Sequence, residues 1–504
     1  MPFFTRKPPS PPIVPTDTFT PLHYWDTQPH TKSICVDVTL RFDDVLDPEK
    51  VRSSLAHLLT FGDWRKLGAR LRQNAAGKLE YHIPAEFDET RPAFIFTTDQ
   101  YNISASEHSV VSRLPTAAST PCLYGGTQDF RSFFCSPKSP TTLDGWLYSD
   151  LPQLAIHLVQ FEDATFLSVT FMHTLMDAMG LSALLSAWSV VLNGEYDKVP
   201  IFAGFRDDPL APLTEDRVSP VQSVIADKLL KGLGFFIFVI RFIFDLLWYR
   251  KDSERILMIP GNYIDRMRDE ARASLAKEVI DSKNPFLSEG DILVSWGTRA
   301  ILRAIGTASN RTVTIFNIFS CREILSKIGH IPSTGVALIT NAVYPAHTFL
   351  SVQEILDKPL HFVASRIRQS LEQQRTKEQL QATMTLQKKE VDKSDRLPVF
   401  GDSTSQLIAW TNWHKARLFE VDFSSAVIKP GINLNTRANP LGMPSYVSPF
   451  ATTKEMPLRN SCSIIGKDHA GNWWLIFILR DGAWPKIAQQ LASLRGMNDT
   501  PDMQ

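Results

Sequence analysis

His173 and Asp177 are the residues whose types and spacing best suit catalysis. A neutral histidine is a base near neutral pH, so it can take the proton of an attacking hydroxyl group. The His-x-x-x-Asp pattern alone is weak evidence, because the same spacing occurs at capped helices and around structural core histidines. Its meaning depends on the elements that position the two side chains.

Those elements predict a strand that runs into a helix. Residues 166–171 alternate β-branched and aromatic side chains, which is typical of a buried strand. Leu154–Gln160 has the same character, and the short turn between the two runs predicts a hairpin. After Gly180 the apolar residues recur at helical spacing, at Leu181, Leu184, Leu185 and Trp188. The predicted junction holds His173 rigidly and exposes it to a cleft.

The stretch from residue 154 to residue 194 resembles the catalytic core of the BAHD acyltransferases, in particular their fungal secondary-metabolism branch. This resemblance implies an α/β fold with two similar chloramphenicol-acetyltransferase-like domains, each a mixed sheet flanked by helices, and an active site in the tunnel between them. We therefore expect an N-terminal domain at 1–215, a hydrophobic crossover segment at 216–255 and a C-terminal domain at 256–504. A length of 504 residues also favours two domains.

The resemblance also implies a role for each motif residue. His173 would be the general base. Asp177 would turn away from the tunnel and pair with Arg322, so that the pair holds the histidine loop in shape. Thr411 and Trp413 match an element that lies across the tunnel, on the oxyanion and acceptor side.

Two other elements match the family less well. Asp422 and Phe423 resemble the start of its D-F-G-W-G loop, but both internal glycines of that loop are missing here. Asn341 matches a Gly-Asn element, in which Thr340 replaces the glycine. Because those glycines shape a turn, the fold expectation stands while the loop geometry is expected to differ.

The implied function is that of an acyl-CoA-dependent O-acyltransferase, with acetyl-CoA as co-substrate and no bound cofactor. The implied acceptor is a hydroxyl of a fungal terpenoid, polyketide or alkaloid. Aromatic residues make up 10% of the chain, which favours an apolar acceptor over a sugar or an amino acid.

Alternatives from other classes remain at this point. A condensation domain or a catalytically silent binding protein would share the fold, although a condensation domain usually has histidine and glycine where Met172 and Ala178 stand. A serine hydrolase would need a G-x-S-x-G elbow, which the sequence lacks. Residues 401–404 weakly resemble another hydrolase motif and are more simply a turn.

Composition limits the partners. The 53 basic and 53 acidic residues balance, so no global charge attracts nucleic acid. The five cysteines are scattered without metal-ligand spacing, so neither a metal site nor a disulfide framework is expected. The proline-broken N-terminus lacks the apolar region of a secretory signal. We expect a cytoplasmic monomer that binds a small-molecule alcohol and acyl-CoA.

Residues 229–249 form the most hydrophobic stretch of the chain. Arg241 and Asp245 interrupt it at a spacing that would let them pair on one helical face. We therefore predict an amphipathic helix near the crossover that covers apolar surface. A membrane-surface contact is the alternative interpretation.

Other segments have simpler patterns. Ser288 and Asp291 predict a helix N-terminus. Residues 100–145 are predicted to be loop, residues 336–343 one strand, residues 351–388 one long polar helix, and residues 389–398 a loop.

Overall fold

A computed structural model describes residues 8–214, 221–278, 286–394, 396–453 and 457–498. Its strands are β1 (Thr18–Pro21), β2 (Ile34–Phe42), β3 (Asp44–Leu46), β4 (Arg70–Gln73), β5 (Leu79–Ile83), β6 (Ile95–Gln100), β7 (Cys122–Tyr124), β8 (Leu154–Gln160), β9 (Thr165–Met172), β10 (Ile201–Ala203), β11 (Asp252–Ile259), β12 (Thr312–Ser320), β13 (Val336–Leu338), β14 (Val343–Ser351), β15 (Gln406–Asn412), β16 (Val427–Pro430), β17 (Pro444–Thr453), β18 (Ser461–Lys467) and β19 (Trp473–Arg480). Its helices are α1 (Pro29–Ser33), α2 (Pro48–Leu58), α3 (Gln128–Phe134), α4 (Leu143–Leu147), α5 (Ala178–Leu192), α6 (Gly232–Trp248), α7 (Gly261–Glu278), α8 (Glu289–Ile305), α9 (Arg322–Lys327), α10 (Val352–Asp357), α11 (Leu360–Gln374), α12 (Lys377–Ser394) and α13 (Trp484–Asn498).

A five-stranded mixed sheet with the order β17-β2-β9-β8-β6 leads the chain to His173. Strand β9 lies at its centre and is buried along its whole length, as its β-branched and aromatic residues favour. It pairs antiparallel with β2 on one side and with β8 on the other. The predicted β8–β9 hairpin is confirmed, and His173 follows a strand that is held along both edges.

A seven-stranded mixed sheet, ordered β14-β12-β15-β18-β19-β11-β7, forms the second half of the molecule. Parallel pairs join β12 to β15 and β15 to β18, and the other neighbours are antiparallel. Helix α8 packs against α11 and α13 over this sheet. Its first turn carries the predicted cap: Ser288 Oγ accepts from the Asp291 amide, and Asp291 accepts from the Ser288 amide.

Each sheet takes an edge strand from the other half of the chain. Strand β17 pairs with β2 in the five-stranded sheet, and β7 pairs with β11 in the seven-stranded one. Backbone hydrogen bonds therefore join the two halves directly. The proposed domain division remains a prediction, and its first boundary, at residues 215–216, lies outside the described residues.

Several predicted elements differ in the structure. The predicted loop at 100–145 contains α3, because Phe130 and Phe134 bury one helical face. The predicted strand at 336–343 is two strands, β13 and β14, interrupted at residues 339–342. The predicted long helix is α10, α11 and α12, broken at Pro359 and Arg375, and the loop expected from residue 389 begins only after Ser394.

The apolar stretch at 229–249 forms α6, but the prediction that it covers apolar surface is wrong. Phe238 is buried, whereas five large apolar side chains are at least 60% exposed: Leu233, Phe236, Phe244, Leu247 and Trp248. Asp245 binds Arg459 (2.8 Å) rather than the predicted Arg241. Within the described ranges, no helix combines the length and the apolar character needed to cross a membrane.

Candidate active site

The His173 loop is a tight, buried turn between β9 and α5. The His173 amide donates to the Ile34 carbonyl (2.9 Å), and the Leu175 amide donates to the Met172 carbonyl (2.9 Å). Thr174, Leu175 and Met176 are buried beneath the turn. The backbone that carries the histidine is therefore fixed by the sheet on one side and by the core below.

Helix α5 begins at Ala178, earlier than its apolar period indicates, because Asp177 caps it. Asp177 Oδ1 accepts from the Gly180 amide (2.8 Å), which satisfies one free N–H of the first turn. A Cβ at Gly180 would lie 2.2 Å from the Ile339 carbonyl oxygen. Glycine is therefore what lets this first turn approach the backbone between β13 and β14.

Asp177 and Arg322 form the pair that the sequence resemblance implied. Arg322 Nη1 and Nη2 donate to the two carboxylate oxygens of Asp177, at 2.9 and 2.8 Å. The Ala342 amide also donates to Oδ2 (2.9 Å), and Arg322 donates to the Leu338 and Thr340 carbonyls. Both carboxylate oxygens are thus occupied by groups on the loop and the second half of the chain, and none of these groups is the His173 ring.

A second polar link reaches the same loop through Asn341. Its side-chain amide donates to the His173 carbonyl (2.8 Å) and to Asp26 Oδ1 (2.7 Å). Thr340, which stands where the family pattern has glycine, donates its hydroxyl to Asp26 Oδ2 (2.6 Å). These bonds explain why the backbone leaves the strand at 339–342, and they give the Thr340 hydroxyl a structural role.

The His173 ring lies on the wall of a cavity. Its Nδ1 is buried and has no hydrogen-bond partner among the described residues, so the Nε2 edge is the part that faces the cavity. His30 lies on the same wall and is partly buried, with its Nδ1 shielded from solvent. Burial, followed by the nearby His173, lowers the pKa of His30 from 6.5 to about 4, so His30 is neutral near neutral pH.

The cavity encloses about 1400 Å³ and is lined by both sheets. A drug-sized ligand needs roughly 300–1000 Å³, so the space suits two substrates together. Much of the wall is apolar, including Phe316, Ile318, Phe319, Val343, Phe450 and Ile476. None of residues 229–249, all of which the structure describes, lies on this wall.

Thr411 and Trp413 line the same cavity as His173. Thr411 lies near the end of β15, beside Ser463 of β18. The Trp413 indole N–H donates to Thr411 Oγ1 (3.0 Å). A hydroxyl group can accept and donate at the same time, and no acceptor for the Thr411 O–H is found among the described residues, so this O–H is available as a donor.

Asp422 and Phe423 do not reach the cavity wall. Phe423 is fully buried and packs on Trp188 of α5 and on Phe42 of β2. The Asp422 carbonyl accepts from the Ser189 hydroxyl, and its carboxylate accepts from the Ser424 amide (2.8 Å). This loop therefore supports the helix that follows His173.

A basic cluster, which we define as Lys327, Arg375 and Lys415, lies at the exposed edge of the cavity. All three surround Glu323, and the hydrogen bond from Lys327 is the largest influence that lowers the pKa of that carboxyl. Because three basic side chains surround one carboxylate, this edge of the cavity carries a net positive charge. Among the described residues, no group of three His, Cys, Asp or Glu side chains is arranged to hold a metal ion.

Sequence reasoning missed the segment at residues 23–31, which supplies Trp25, Asp26 and His30 to the site. This segment has no strand or helix period of its own. Its dense aromatic and polar composition, HYWDTQPH, was the available signal, since such side chains rarely gather in a surface linker without partners.

Relatives match the chain over nearly its whole length. Acetyltransferase sphE of Aspergillus fumigatus is 46% identical over 505 residues, which cover 97% of this chain and 98% of sphE. Acetyltransferase adrJ of Penicillium rubens is 38% identical, over 98% of this chain and 99% of adrJ. Transcriptional regulator calD of Penicillium decumbens is also 38% identical, over 97% of this chain and 98% of calD. No protein-family model matches the chain.

Solved structures share the fold at low sequence identity. F. sporotrichioides TRI101, complexed with coenzyme A and T-2, superposes with a TM-score of 0.66 at 17% identity, over 94% of this chain and 98% of that chain. Vinorine synthase superposes with a TM-score of 0.56 at 15% identity, over 97% of this chain and 96% of that chain. The likeness of fold extends over nearly the whole chain.

Proposed function

This chain belongs to the BAHD family of acyltransferases, in its fungal secondary-metabolism branch, and we propose that it transfers an acetyl group from acetyl-CoA to a hydroxyl of a small apolar molecule. Its two-domain, chloramphenicol-acetyltransferase-like α/β fold is the one that the sequence resemblance implied. The observation that carries the proposal is that His173 faces, through Nε2, a cavity large enough for both substrates.

His173 acts as the general base in this proposal. Neutral Nε2 takes the proton of the acceptor hydroxyl as its oxygen attacks the thioester carbonyl. Such assistance contributes typically about 10²–10⁴-fold to the rate. When the tetrahedral intermediate collapses, the C–S bond breaks and the imidazolium returns the proton to the departing thiolate, which gives the ester and free coenzyme A.

Thr411 stabilises the oxyanion of that intermediate. Thr411 lies on the cavity wall, and its O–H has no acceptor among the described residues while its oxygen accepts from Trp413. A fixed donor at a developing oxyanion strengthens as charge builds up there, which lowers the barrier. Trp413 serves as a positioning residue, since its indole sets the direction of the Thr411 hydroxyl.

The basic cluster marks the end of the cavity that receives the phosphates of coenzyme A. Arg375→Ala and Lys415→Ala should each raise KM for acetyl-CoA by roughly fivefold, as expected for exposed charge contacts. Their effect on KM should shrink when 3′-dephospho-acetyl-CoA or high salt is used. Lys486→Ala, which removes an exposed lysine on α13, is the matched control and should change nothing.

The apolar wall supports an apolar acceptor such as a terpenoid, polyketide or alkaloid alcohol. The proposal is tested by following free thiol released from acetyl-CoA with a panel of such alcohols and of sugars and amino acids. Release that depends on an apolar alcohol, and that continues unchanged in EDTA, is the expected result. Turnover with polar acceptors alone would contradict the proposed acceptor class.

The calD match makes a silent binding role the second candidate. Under that role the protein would bind an apolar alcohol, seen by calorimetry, without releasing thiol from any acyl-CoA. Because the cavity and the His173 Nε2 edge are both accessible, we expect turnover instead.

A further inference from the structure

We propose that α6 docks the protein onto the surface of a membrane that contains anionic lipids, with the helix lying in the plane of the surface. The helix has 17 residues, which corresponds to about 25 Å at 1.5 Å per residue. It lies outside the catalytic machinery, so this proposal does not depend on the proposed function.

One face of α6 carries apolar side chains that point away from the protein. Leu233, Phe236, Ile240, Phe244 and Leu247 recur every three or four residues, so they form one stripe along the helix. Each is more than half exposed, from 51% at Ile240 to 73% at Leu233. An exposed apolar stripe of this extent is unfavourable in water and marks an interaction surface.

Polar contacts hold the opposite face of α6 to the protein. Arg459 donates to the Asp245 carboxylate and to the Asp245 carbonyl, both at 2.8 Å. The chain before the helix is fixed by the Leu230 amide, which donates to the Val399 carbonyl (2.9 Å). The Asp245 carboxylate is therefore tied to Arg459, while the apolar stripe lies on the other face of the helix.

The charged side chains around the stripe indicate what kind of surface binds to it. Arg250 and Lys251 follow the stripe, and Arg241 is exposed along its length. Lys228 and Lys231 precede the stripe, where they pair with Asp227 (3.1 Å) and Glu390 (3.5 Å). An apolar stripe bordered by lysine and arginine suits an anionic lipid surface, where acyl chains cover the stripe and headgroups meet the cations. Trp248 and Tyr249 stand at the end of the stripe, as aromatic side chains do at the boundary between lipid and water.

The surface also adjoins the cavity. Leu229 pairs with Phe400 next to the helix, and Val399 and Phe400 lie on the cavity wall. A membrane docked on α6 would therefore lie beside one wall of the cavity.

The test uses the full-length protein, flotation on vesicles and two variants. Wild type should float with vesicles of phosphatidylcholine and phosphatidylserine, and more weakly with phosphatidylcholine alone. Phe244→Glu with Leu247→Glu should lower the partition coefficient by about a hundredfold or more, because the loss of each apolar side chain accounts for roughly a tenfold factor. Ile428→Glu alters a side chain that is 61% exposed on β16 and serves as the matched control.

Both substituted positions are more than 60% exposed, so the fold and the turnover of a soluble acceptor should be unchanged. The proposal is overturned if wild type floats with neither kind of vesicle. It is equally overturned if the double variant floats as well as wild type. It is also overturned if light scattering shows that wild type is a dimer and the double variant a monomer, while neither protein binds vesicles. In that case a second copy of the chain covers the stripe.

Discussion

The two ends of α5 are fastened to the second half of the chain in opposite ways. At its start, Asp177 is held by a bidentate bond from Arg322 and by two backbone amides, all in a buried setting. Near its far end, Trp188 packs against Phe423, and beside this apolar contact the Ser189 hydroxyl donates to the Asp422 carbonyl. One helix is thus anchored once by charge and once by packing.

The difference predicts how each anchor fails. Removal of one partner from a buried ion pair leaves the other charge without compensation. An apolar contact weakens in proportion to the atoms removed, because the neighbours relax partly into the space. The charged anchor, which adjoins His173, fixes the loop in one position, and the apolar anchor tolerates small changes.

The largest expected effect is a loss of turnover without a loss of stability, and it comes from a residue that belongs to neither anchor. His173→Ala removes a ring that makes no hydrogen bond to either anchor, so turnover should fall by about two to four orders of magnitude. The melting temperature should stay close to that of wild type. His330→Ala, at an exposed histidine, is the control and should be fully active. A His173→Ala protein that keeps normal turnover would remove the general base from the mechanism.

The second-largest effect should come from breaking the charged anchor, the Asp177–Arg322 pair. Asp177→Ala strands Arg322 and should lower the free energy of unfolding by about 3–5 kcal/mol, and Arg322→Ala should resemble it. Chemical denaturation measures both. Arg52→Ala breaks the exposed Arg52–Glu49 pair as a control and should change the free energy by less than about 1 kcal/mol. A stable, inactive Asp177→Ala with a harmless Arg322→Ala would mean that the aspartate acts on the histidine directly.

The cavity wall that carries His173 should also make the stability depend on pH, through His30. Its pKa is about 4 in the folded protein and 6.5 when unfolded, so the unfolded chain binds the extra proton between these values. Stability is therefore complete above pH 6.5 and is lost as the pH falls toward 4, by up to about 3 kcal/mol. His30→Gln should show a shallower loss over this window, measured by denaturation at each pH. Equal slopes in the two proteins would contradict this.

The apolar anchor should give the smallest effect. Phe423→Leu keeps an apolar side chain with less volume, so the free energy of unfolding should fall by only about 1 kcal/mol. Turnover should be nearly unchanged, since Phe423 does not border the cavity. A loss as large as that of Asp177→Ala would mean that the two anchors are not different in kind.

The sequence predicted the local parts of this arrangement well. The strand before His173 and the cap at Ser288 depend on periodicity and on side chains three residues apart, and both are present. The Asp177–Arg322 pair was reached only through family resemblance, because 145 residues separate its partners. The roles assigned to His173, Thr411 and Trp413 remain predictions.

The interrupted strand at 336–343 and the unpredicted segment at 23–31 share a physical cause. Asp26 bonds to Asn341 across 315 residues, and this contact both interrupts the predicted strand and brings the 23–31 segment to the site. No local pattern encodes such a contact. The prediction for residues 229–249 was wrong for a different reason. Their strong local apolar pattern indicated burial, whereas the structure exposes the helix.

Each half of the chain supplies an edge strand to the sheet of the other half, and this determines when each sheet can be completed during synthesis. Strand β2 exposes an unpaired edge until β17 is available, and β17 spans Pro444–Thr453, close to the end of the chain. An unpaired edge strand invites association with other chains. The nascent N-terminal half therefore emerges from the ribosome with an open edge that stays open until β17 has been synthesised, so separately expressed halves should need each other, or a chaperone, to stay dispersed.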